Sequence, residues 1–164
     1  MKIRQLSLLS IMSTLYAMLV IFFAPISYGP IQLRIADCLI PLSAIFGWPA
    51  VFGVSLGALI SNAYYWLGPV DVILGPVANF VSAATIYYLR RRLFTACILG
   101  AFLIGLIVGG YLWIFFPPPD FPITLPVWGG MIVSITLSSI VAIAFLGYFL
   151  AKAIESSGLL KDRR

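Results

Sequence analysis

Histidine is absent from this sequence of 164 residues, and cysteine occurs only twice. Without histidine the chain lacks a ligand of many zinc sites and the base of most hydrolytic pairs, and Cys38 and Cys97 lie in apolar surroundings without C-x-x-C spacing. The P-loop, G-x-S-x-G and H-E-x-x-H patterns are absent as well. We therefore expect no metal, no other cofactor, no catalytic residue and no enzyme activity.

Charged residues are also scarce. They make up 9% of the chain, whereas about a quarter of the residues of a soluble domain are charged, and the mean hydropathy is +1.10. This composition suits a lipid bilayer, so we expect an integral membrane protein with a single domain over residues 1–164, in contact with membrane lipid. The net charge of +5 does not indicate nucleic acid as a partner, because the basic residues form no face with interleaved aromatic residues.

Apolar runs separated by proline, glycine or charge predict six transmembrane helices. They cover residues 6–24, 35–47, 50–67, 72–89, 93–115 and 128–151. The second run is short and joins the third through the tight turn "FGWPA", so the two are expected to form a helical hairpin in which Pro49 opens the third helix. The alternative is a second run that enters only part of the bilayer, which leaves five crossings.

The basic residues favour the even count of crossings. With six crossings and a cytoplasmic N-terminus, every lysine and arginine except Arg34 lies on the cytoplasmic side, in agreement with the positive-inside rule. Five crossings would place part of the basic residues on the wrong side. The expected fold is therefore an all-α integral membrane protein, multi-pass in the cell membrane, with six transmembrane helices and with N- and C-termini cytoplasmic. Asp37, Asp71 and Asp120 then lie toward the outer side, as Arg34 does.

The stretch "YGPIQLRIADCL" places Arg34 and Asp37 three residues apart beside an apolar run, with Gln32 just upstream. In a helix the two charged side chains share one face, and an acidic residue near a helix N-terminus is favoured by the helix dipole. One interpretation is a structural ion pair at the membrane interface. The other is a binding site, because ionisable residues at membrane depth are costly and mark functional positions.

Further polar residues favour the binding site. Asp71 follows Gly68-Pro69 and is predicted to be the N-cap of the fourth helix. The same helix carries small and polar residues on one face, and Asn62 lies near the outer end of the third helix. The positions on that face are Asp71, Gly75, Ala78 and Ser82, with Asn79 beside them.

Aromatic residues, including Trp128, gather toward the same side and would stack on a flat polar ring, and the proline-rich loop at 116–126 would cover it. The residues alone thus predict a six-helix binding protein for an extracellular solute, without an energy source of its own. Two other classes stay open, a stand-alone secondary transporter or channel and an interaction subunit that binds no small molecule. The first would show a titratable carboxylate near the middle of the bilayer or an inverted repeat of broken helices, and neither is visible.

The segments "APISYGPIQLRIADCLIPL" and "FGVSLGALISNAYYWLGPVDVILGPVANFVSAATIYYLRRR" resemble the QueT family, the substrate-binding S components of energy-coupling factor (ECF) transporters. The resemblance covers roughly residues 15–92. It implies uptake of a queuosine precursor, a 7-deazaguanine such as queuine, preQ0 or preQ1. It also implies partnership with a membrane-embedded coupling subunit and two cytoplasmic ATPases. An S component for another vitamin-like heterocycle is the alternative within this class.

The family's R-x-x-E motif after "GPIQ" matches Arg34 and Asp37, with aspartate in place of the usual glutamate. The resemblance also matches a D-x-x-x-G motif to Asp71 and Gly75, and the A-x-x-x-A docking pattern of the first helix to Ser13 and Ala17. We expect Asp37 to accept hydrogen bonds from the ring's donors while Arg34 keeps it ionised, and an aromatic residue such as Trp128 to stack. The expected substrate-binding residues are Gln32, Arg34, Asp37, Asn62, Asp71, Asn79 and Trp128.

Overall fold

Helices make up nearly all of the described part of the chain. The computed structural model describes residues 2–28, 32–117, 119 and 126–157, and no strand occurs among them. In chain order the elements are α1 (Ile3–Phe22), α2 (Ala24–Ser27), a 3-10 helix (Ile35–Leu42), α3 (Ser43–Phe46), α4 (Trp48–Tyr65), α5 (Pro69–Tyr88), a 3-10 turn (Arg90–Arg92), α6 (Leu93–Leu112), α7 (Val127–Ser139), a π-helix (Ile140–Gly147) and α8 (Tyr148–Ser156). The all-α class predicted from the sequence is confirmed.

Four helical stretches within the described residues are long and apolar enough to cross a membrane. They are Ile3–Phe22, Pro69–Tyr88, Arg90–Leu112 and Val127–Ser156. The apolar stretch Ile35–Phe46 is shorter, with eight residues in the 3-10 helix and four in α3. At rises of about 2.0 and 1.5 Å per residue it extends about 22 Å, less than the roughly 30 Å of a hydrocarbon core. Six crossings with cytoplasmic termini stay a prediction.

The direction of each helix follows from the contacts of α4. Gly53 lies against Leu9 and Met12 of α1, and Gly57 lies against Ser13 and Tyr16, so α1 and α4 run parallel. The Trp48 ring is 5.7 Å from that of Tyr87 and 6.0 Å from that of Tyr88, so α4 begins where α5 ends. The 3-10 turn Arg90–Arg92 lies at this end, called here the basic end.

The last helix returns to the same end. Lys152 and Glu155 of α8 line one cleft together with the arginines of the 3-10 turn. The described chain therefore enters and leaves the bundle at the basic end. This arrangement agrees with an even number of passes through the bundle.

The 3-10 helix Ile35–Leu42 is packed between α1 and the π-helix. Gly147 of the π-helix approaches it so closely that a Cβ there would lie 2.7 Å from Pro41 Cγ and 2.9 Å from the Cys38 carbonyl oxygen. This close contact holds the segment that carries Asp37 inside the bundle, away from its surface.

Close packing between α6 and α7 depends on Gly109. A Cβ at this position would lie 2.6 Å from Ile132 Cα and 2.9 Å from Ile132 N, both backbone atoms that cannot rotate away. The neighbouring Gly110 has no atom of another element within 4 Å of such a Cβ. Gly105, four residues before Gly109, lies against Thr136 of α7, so both glycines of this small-residue spacing are at the contact between α6 and α7.

We expect Gly109→Ala to lower the free energy of unfolding by about 1–3 kcal/mol, because the added methyl group forces α6 and α7 apart. Gly110→Ala is the matched control and should leave stability unchanged or slightly higher. Thermal unfolding of the purified variants in detergent checks this. Equal unfolding temperatures for the two variants would contradict the close contact.

Candidate functional site

A group of buried polar side chains, called here the polar cluster, lies inside the bundle near the end opposite the basic end. Its members come from the stretch before the 3-10 helix, from that helix and from α1, α4, α5 and α6. They are Tyr16, Gln32, Arg34, Asp37, Asn62, Asp71, Asn79 and Tyr111, and none is more than 6% exposed. Six of the seven predicted binding residues, all except Trp128, thus belong to a larger network that also contains Tyr16 and Tyr111.

Arg34 is the cation of the cluster. Its Nη2 donates a hydrogen bond of 2.9 Å to Asn62 Oδ1, and its guanidinium carbon lies 5.3 Å from the centre of the Tyr28 ring. The Nε group is buried and has no hydrogen-bond partner in the described part of the chain. One edge of the guanidinium is therefore fixed by the protein, and a donor remains for another molecule.

Asn62 joins Arg34 to α5. Its Nδ2 donates a 3.0 Å hydrogen bond to the Asp71 carbonyl oxygen, while its Oδ1 also accepts a 3.3 Å bond from the Tyr28 hydroxyl. The amide fits only because Gly75 has no side chain, since a Cβ there would collide with Asn62 Nδ2. The D-x-x-x-G spacing therefore has a direct structural reason, because its glycine leaves room for the asparagine.

Asp37 accepts a hydrogen bond from the Tyr16 hydroxyl at its Oδ1. A direct ion pair with Arg34, one of the two interpretations of their spacing, does not form, because the only ion pair among the described residues joins Lys152 and Glu155. Arg34 precedes the 3-10 helix in an extended conformation, with φ −81° and ψ 94°, and so is not on the helical face that Asp37 occupies. The two groups contact different neighbours.

Asp71 is not the N-cap of α5, which corrects a second prediction. Gly68 is the N-cap residue and Pro69 begins the helix, so Asp71 lies inside the first turn. Its Oδ1 accepts a 2.8 Å hydrogen bond from the Tyr111 hydroxyl, and its buried Oδ2 has no partner within the described residues. Pro69, which needs no N–H partner, starts the helix early and turns this carboxylate toward α6.

A small cavity lies against the cluster. Four predicted binding residues line it, namely Gln32, Arg34, Asp37 and Asn79, together with Ser139 and the apolar side chains of Ile104, Val108 and Ile135. Its volume of about 10 Å³ leaves room for about one water molecule. Drug-sized ligands occupy pockets of roughly 300–1,000 Å³, so this cavity is too small to hold one as it stands.

Gln32, which lines this cavity, also carries an unpartnered donor among the described residues. Its backbone has a positive φ of 43°, and its buried Nε2 has no hydrogen-bond partner among the described residues. A non-glycine residue in this conformation is uncommon and is often found where function requires it.

The remaining predicted residues lie elsewhere. Asn62 and Asp71 do not line the cavity. Asn62 accepts a hydrogen bond from Arg34, and Asp71 accepts one from Tyr111. The structure does not bring Trp128 to the cavity wall, and its side chain is 56% exposed. Asp120 and most of the loop at 116–126 lie outside the described residues.

Ser13 and Ala17 face the inside of the bundle. They are 4% and 6% exposed, and the backbone oxygen of Ser13 lies against Gly57 of α4. Docking through these two side chains would require the neighbouring helix to move, and it stays a prediction.

Sequence reasoning missed the two tyrosines that hold the carboxylates. Tyr16 and Tyr111 donate to Asp37 and Asp71, yet tyrosine in an apolar helix ordinarily indicates the membrane interface. One signal was available for Tyr16, which lies well inside a 20-residue helix. A hydroxyl at that depth needs a partner, and a carboxylate elsewhere in the chain is the natural one.

Comparison with known proteins identifies a family. The family model described as "QueT transporter" matches residues 6–156, nearly the whole chain. Neither a curated protein nor a solved structure matches.

Proposed function

The chain belongs to the QueT transporter family, and from this premise we propose that it is the substrate-binding membrane subunit, or S component, of an ATP-driven ECF-type importer. The proposed ligand is a queuosine precursor, a 7-deazaguanine such as queuine, preQ0 or preQ1. Because the sequence contains no P-loop, the energy for transport would come from partner proteins, namely a membrane coupling subunit and two cytoplasmic ATPases.

One observation supports this ligand most strongly: residues with donors and an acceptor line the same small cavity. Gln32 Nε2 and Arg34 Nε are donors with no partner in the part of the chain that the structure describes, and Asp37 is an acidic acceptor that lines the same cavity. A carboxylate accepts about four hydrogen bonds, and Tyr16 supplies one to Asp37. Such unsatisfied groups are costly unless a ligand completes them.

The edge of a deazaguanine is complementary to these groups. Its ring N–H and amino group are adjacent donors that one carboxylate accepts as a pair, so we assign them to Asp37. Its carbonyl oxygen needs a donor, which Arg34 or Gln32 offers. Ile104, Val108 and Ile135 would cover the apolar face of the ring.

Binding requires the site to open. Ile104 and Val108 belong to α6, and Ile135 and Ser139 belong to α7, so this pair of helices forms the apolar wall. We propose that α6 and α7 move away from the 3-10 helix and α5 when the ligand enters. Their return would bury the ring and exclude water, which strengthens every hydrogen bond to it.

The charges of the cluster favour one kind of precursor. The cluster contains one buried cation, Arg34, and two buried carboxylates, Asp37 and Asp71. With both carboxylates ionised, the net charge of these three groups is −1. A ligand that carries an ammonium group would neutralise this excess. We therefore expect preQ1, with its aminomethyl group, to bind more tightly than preQ0, whose nitrile is neutral.

Thermal unfolding and native mass spectrometry of the detergent-purified protein test the proposal. The ligands to compare are queuine, preQ1, preQ0, guanine, riboflavin and thiamine. We expect the three deazaguanines to raise the unfolding temperature and to form one-to-one complexes, with preQ1 above preQ0. If a flavin or another vitamin stabilises the protein and no deazaguanine does, the ligand assignment is wrong while the S-component class survives.

A further inference from the structure

A second, larger cavity lies at the basic end of the bundle, on the other side of the molecule from the polar cluster. It is an open cleft of about 580 Å³ between the start of α6, the end of α3 and α8. Arg90, Arg91, Arg92, Lys152 and Glu155 supply its charged lining, which gives it a net charge of 4 − 1 = +3. The QueT assignment does not account for this cleft.

The charges of the three arginines are not satisfied by the described protein. Lys152 is paired with Glu155 at 2.8 Å, so these two charges cancel. Arg90 lies 5.0 Å from the centre of the Tyr87 ring. Beyond that contact, the guanidiniums of the 3-10 turn make no hydrogen bond or ion pair to a described residue, and all three residues are exposed. Guanidinium groups presented in this way bind phosphate oxygens well, often with two parallel hydrogen bonds.

The rest of the lining is apolar. Ile45, Leu93 and Phe94 border the same cleft, and the Phe94 side chain is 52% exposed. Leu93 and Phe94 begin α6, which belongs to a stretch apolar enough to cross the membrane. The cleft therefore offers a phosphate-binding wall and, next to it, an apolar wall that continues along a membrane-facing helix.

We propose that this cleft binds an anionic phospholipid of the surrounding bilayer. The phosphate of the headgroup contacts Arg90, Arg91 and Arg92, and the first part of an acyl chain lies along Phe94 and α6. Free phosphate carries the same oxyanion as the lipid headgroup and could contact the same arginines. The apolar wall and the position at the end of a membrane helix favour the lipid over free phosphate. Basic pockets on the cytoplasmic side of membrane helices are a known means of lipid recognition.

Native mass spectrometry of the full chain from mixed micelles tests the proposal. The micelles contain equal amounts of phosphatidylglycerol and phosphatidylcholine, and the quantity measured is the ratio of the two lipid adducts. For the wild-type protein we expect about tenfold more phosphatidylglycerol than phosphatidylcholine. The triple variant Arg90→Gln, Arg91→Gln, Arg92→Gln should lose this preference. Because Arg90 also contacts Tyr87, the double variant Arg91→Gln, Arg92→Gln serves if the triple variant unfolds, and it should show an intermediate ratio.

The control removes two basic residues at the same end but outside the cleft. Lys2→Gln with Arg4→Gln should keep the wild-type ratio, because neither residue lines the cleft. A loss as large as that of the triple variant would show general charge attraction and overturn the site. Two further results would overturn it: no lipid preference in the wild-type protein, and displacement of the phosphatidylglycerol by an equal concentration of inorganic phosphate. None of these outcomes depends on the deazaguanine assignment.

Discussion

Replacing Asp37 with asparagine lowers the affinity for a 7-deazaguanine by about a hundredfold or more, if the carboxylate accepts the two donors of the ring as proposed. Asparagine presents one acceptor and an NH2 group, and that NH2 group faces the donors of the ligand. Buried polar groups left unpaired are the strongest source of discrimination in such sites. The affinity can be measured by isothermal titration calorimetry of the purified protein in detergent.

Asp37→Glu is the matched control. It keeps the carboxylate and adds one methylene. We expect this variant to bind within about tenfold of the wild-type protein, because the paired acceptors are retained. If the Asp37→Asn variant binds the deazaguanine as tightly as the Asp37→Glu variant, the carboxylate does not accept hydrogen bonds from the ligand and serves only to anchor Tyr16.

Replacing Arg34 with methionine lowers the free energy of unfolding by about 3–5 kcal/mol, the range for removing one member of a buried charge group. Methionine fills much of the same volume but leaves Asp37 and Asp71 without the buried cation and Asn62 Oδ1 without its 2.9 Å hydrogen bond. Thermal and denaturant unfolding in detergent measure the change.

The same substitution at Arg4, an exposed residue of α1, is the control and should change stability by no more than about 0.5 kcal/mol. The combination of Arg34→Met with Asp37→Asn adds a second check. Since it removes an anion along with the cation, its cost should be smaller than the sum of the single changes by at least about 1 kcal/mol. Additive costs would show that the two charges do not interact.

The apolar runs of the sequence, and the proline and glycine residues between them, were enough to locate the helices. Pro49 lies in the first turn of α4 as predicted, and the predicted run 93–115 corresponds to α6, Leu93–Leu112. Proline and glycine act through local backbone geometry, so their effect is visible in one sequence. The 3-10 helix at Ile35–Leu42 and the π-helix at Ile140–Gly147 were not predicted. The two segments pack against each other, a contact between residues about 100 positions apart that local sequence does not encode.

The sequence indicated six of the eight members of the polar cluster, without Tyr16 and Tyr111, and did not indicate their contacts. Arg34, Asp37, Asn62, Asp71 and Asn79 are polar residues in apolar surroundings, and they were found because burial of such groups is costly without partners. Which group pairs with which depends on side-chain directions. Arg34 contacts Asn62, and Asp37 contacts Tyr16, because the chain is extended at residue 34 and helical from residue 35 onward.

Trp128 was predicted to stack on the ligand, and its position does not support that role. It was chosen as a stacking residue because aromatic side chains gather toward the same end of the bundle, yet it is 56% exposed and lies off the cavity wall. Tryptophan near a helix end most often belongs to the interfacial belt, which accounts for this position. The described wall offers aliphatic side chains in its place, namely Ile104, Val108 and Ile135.

The central claim is that the buried polar cluster closes around a flat heterocycle. A crystal structure grown from a lipidic mesophase in the presence of preQ1 tests it most directly. We expect the ring to lie between Asp37, Arg34 and the apolar side chains of α6 and α7, with the present cavity enlarged to hold it. The claim would be contradicted if the ring were bound at another place, Gln32 Nε2 and Arg34 Nε still had no partner, and the cavity were no larger than now.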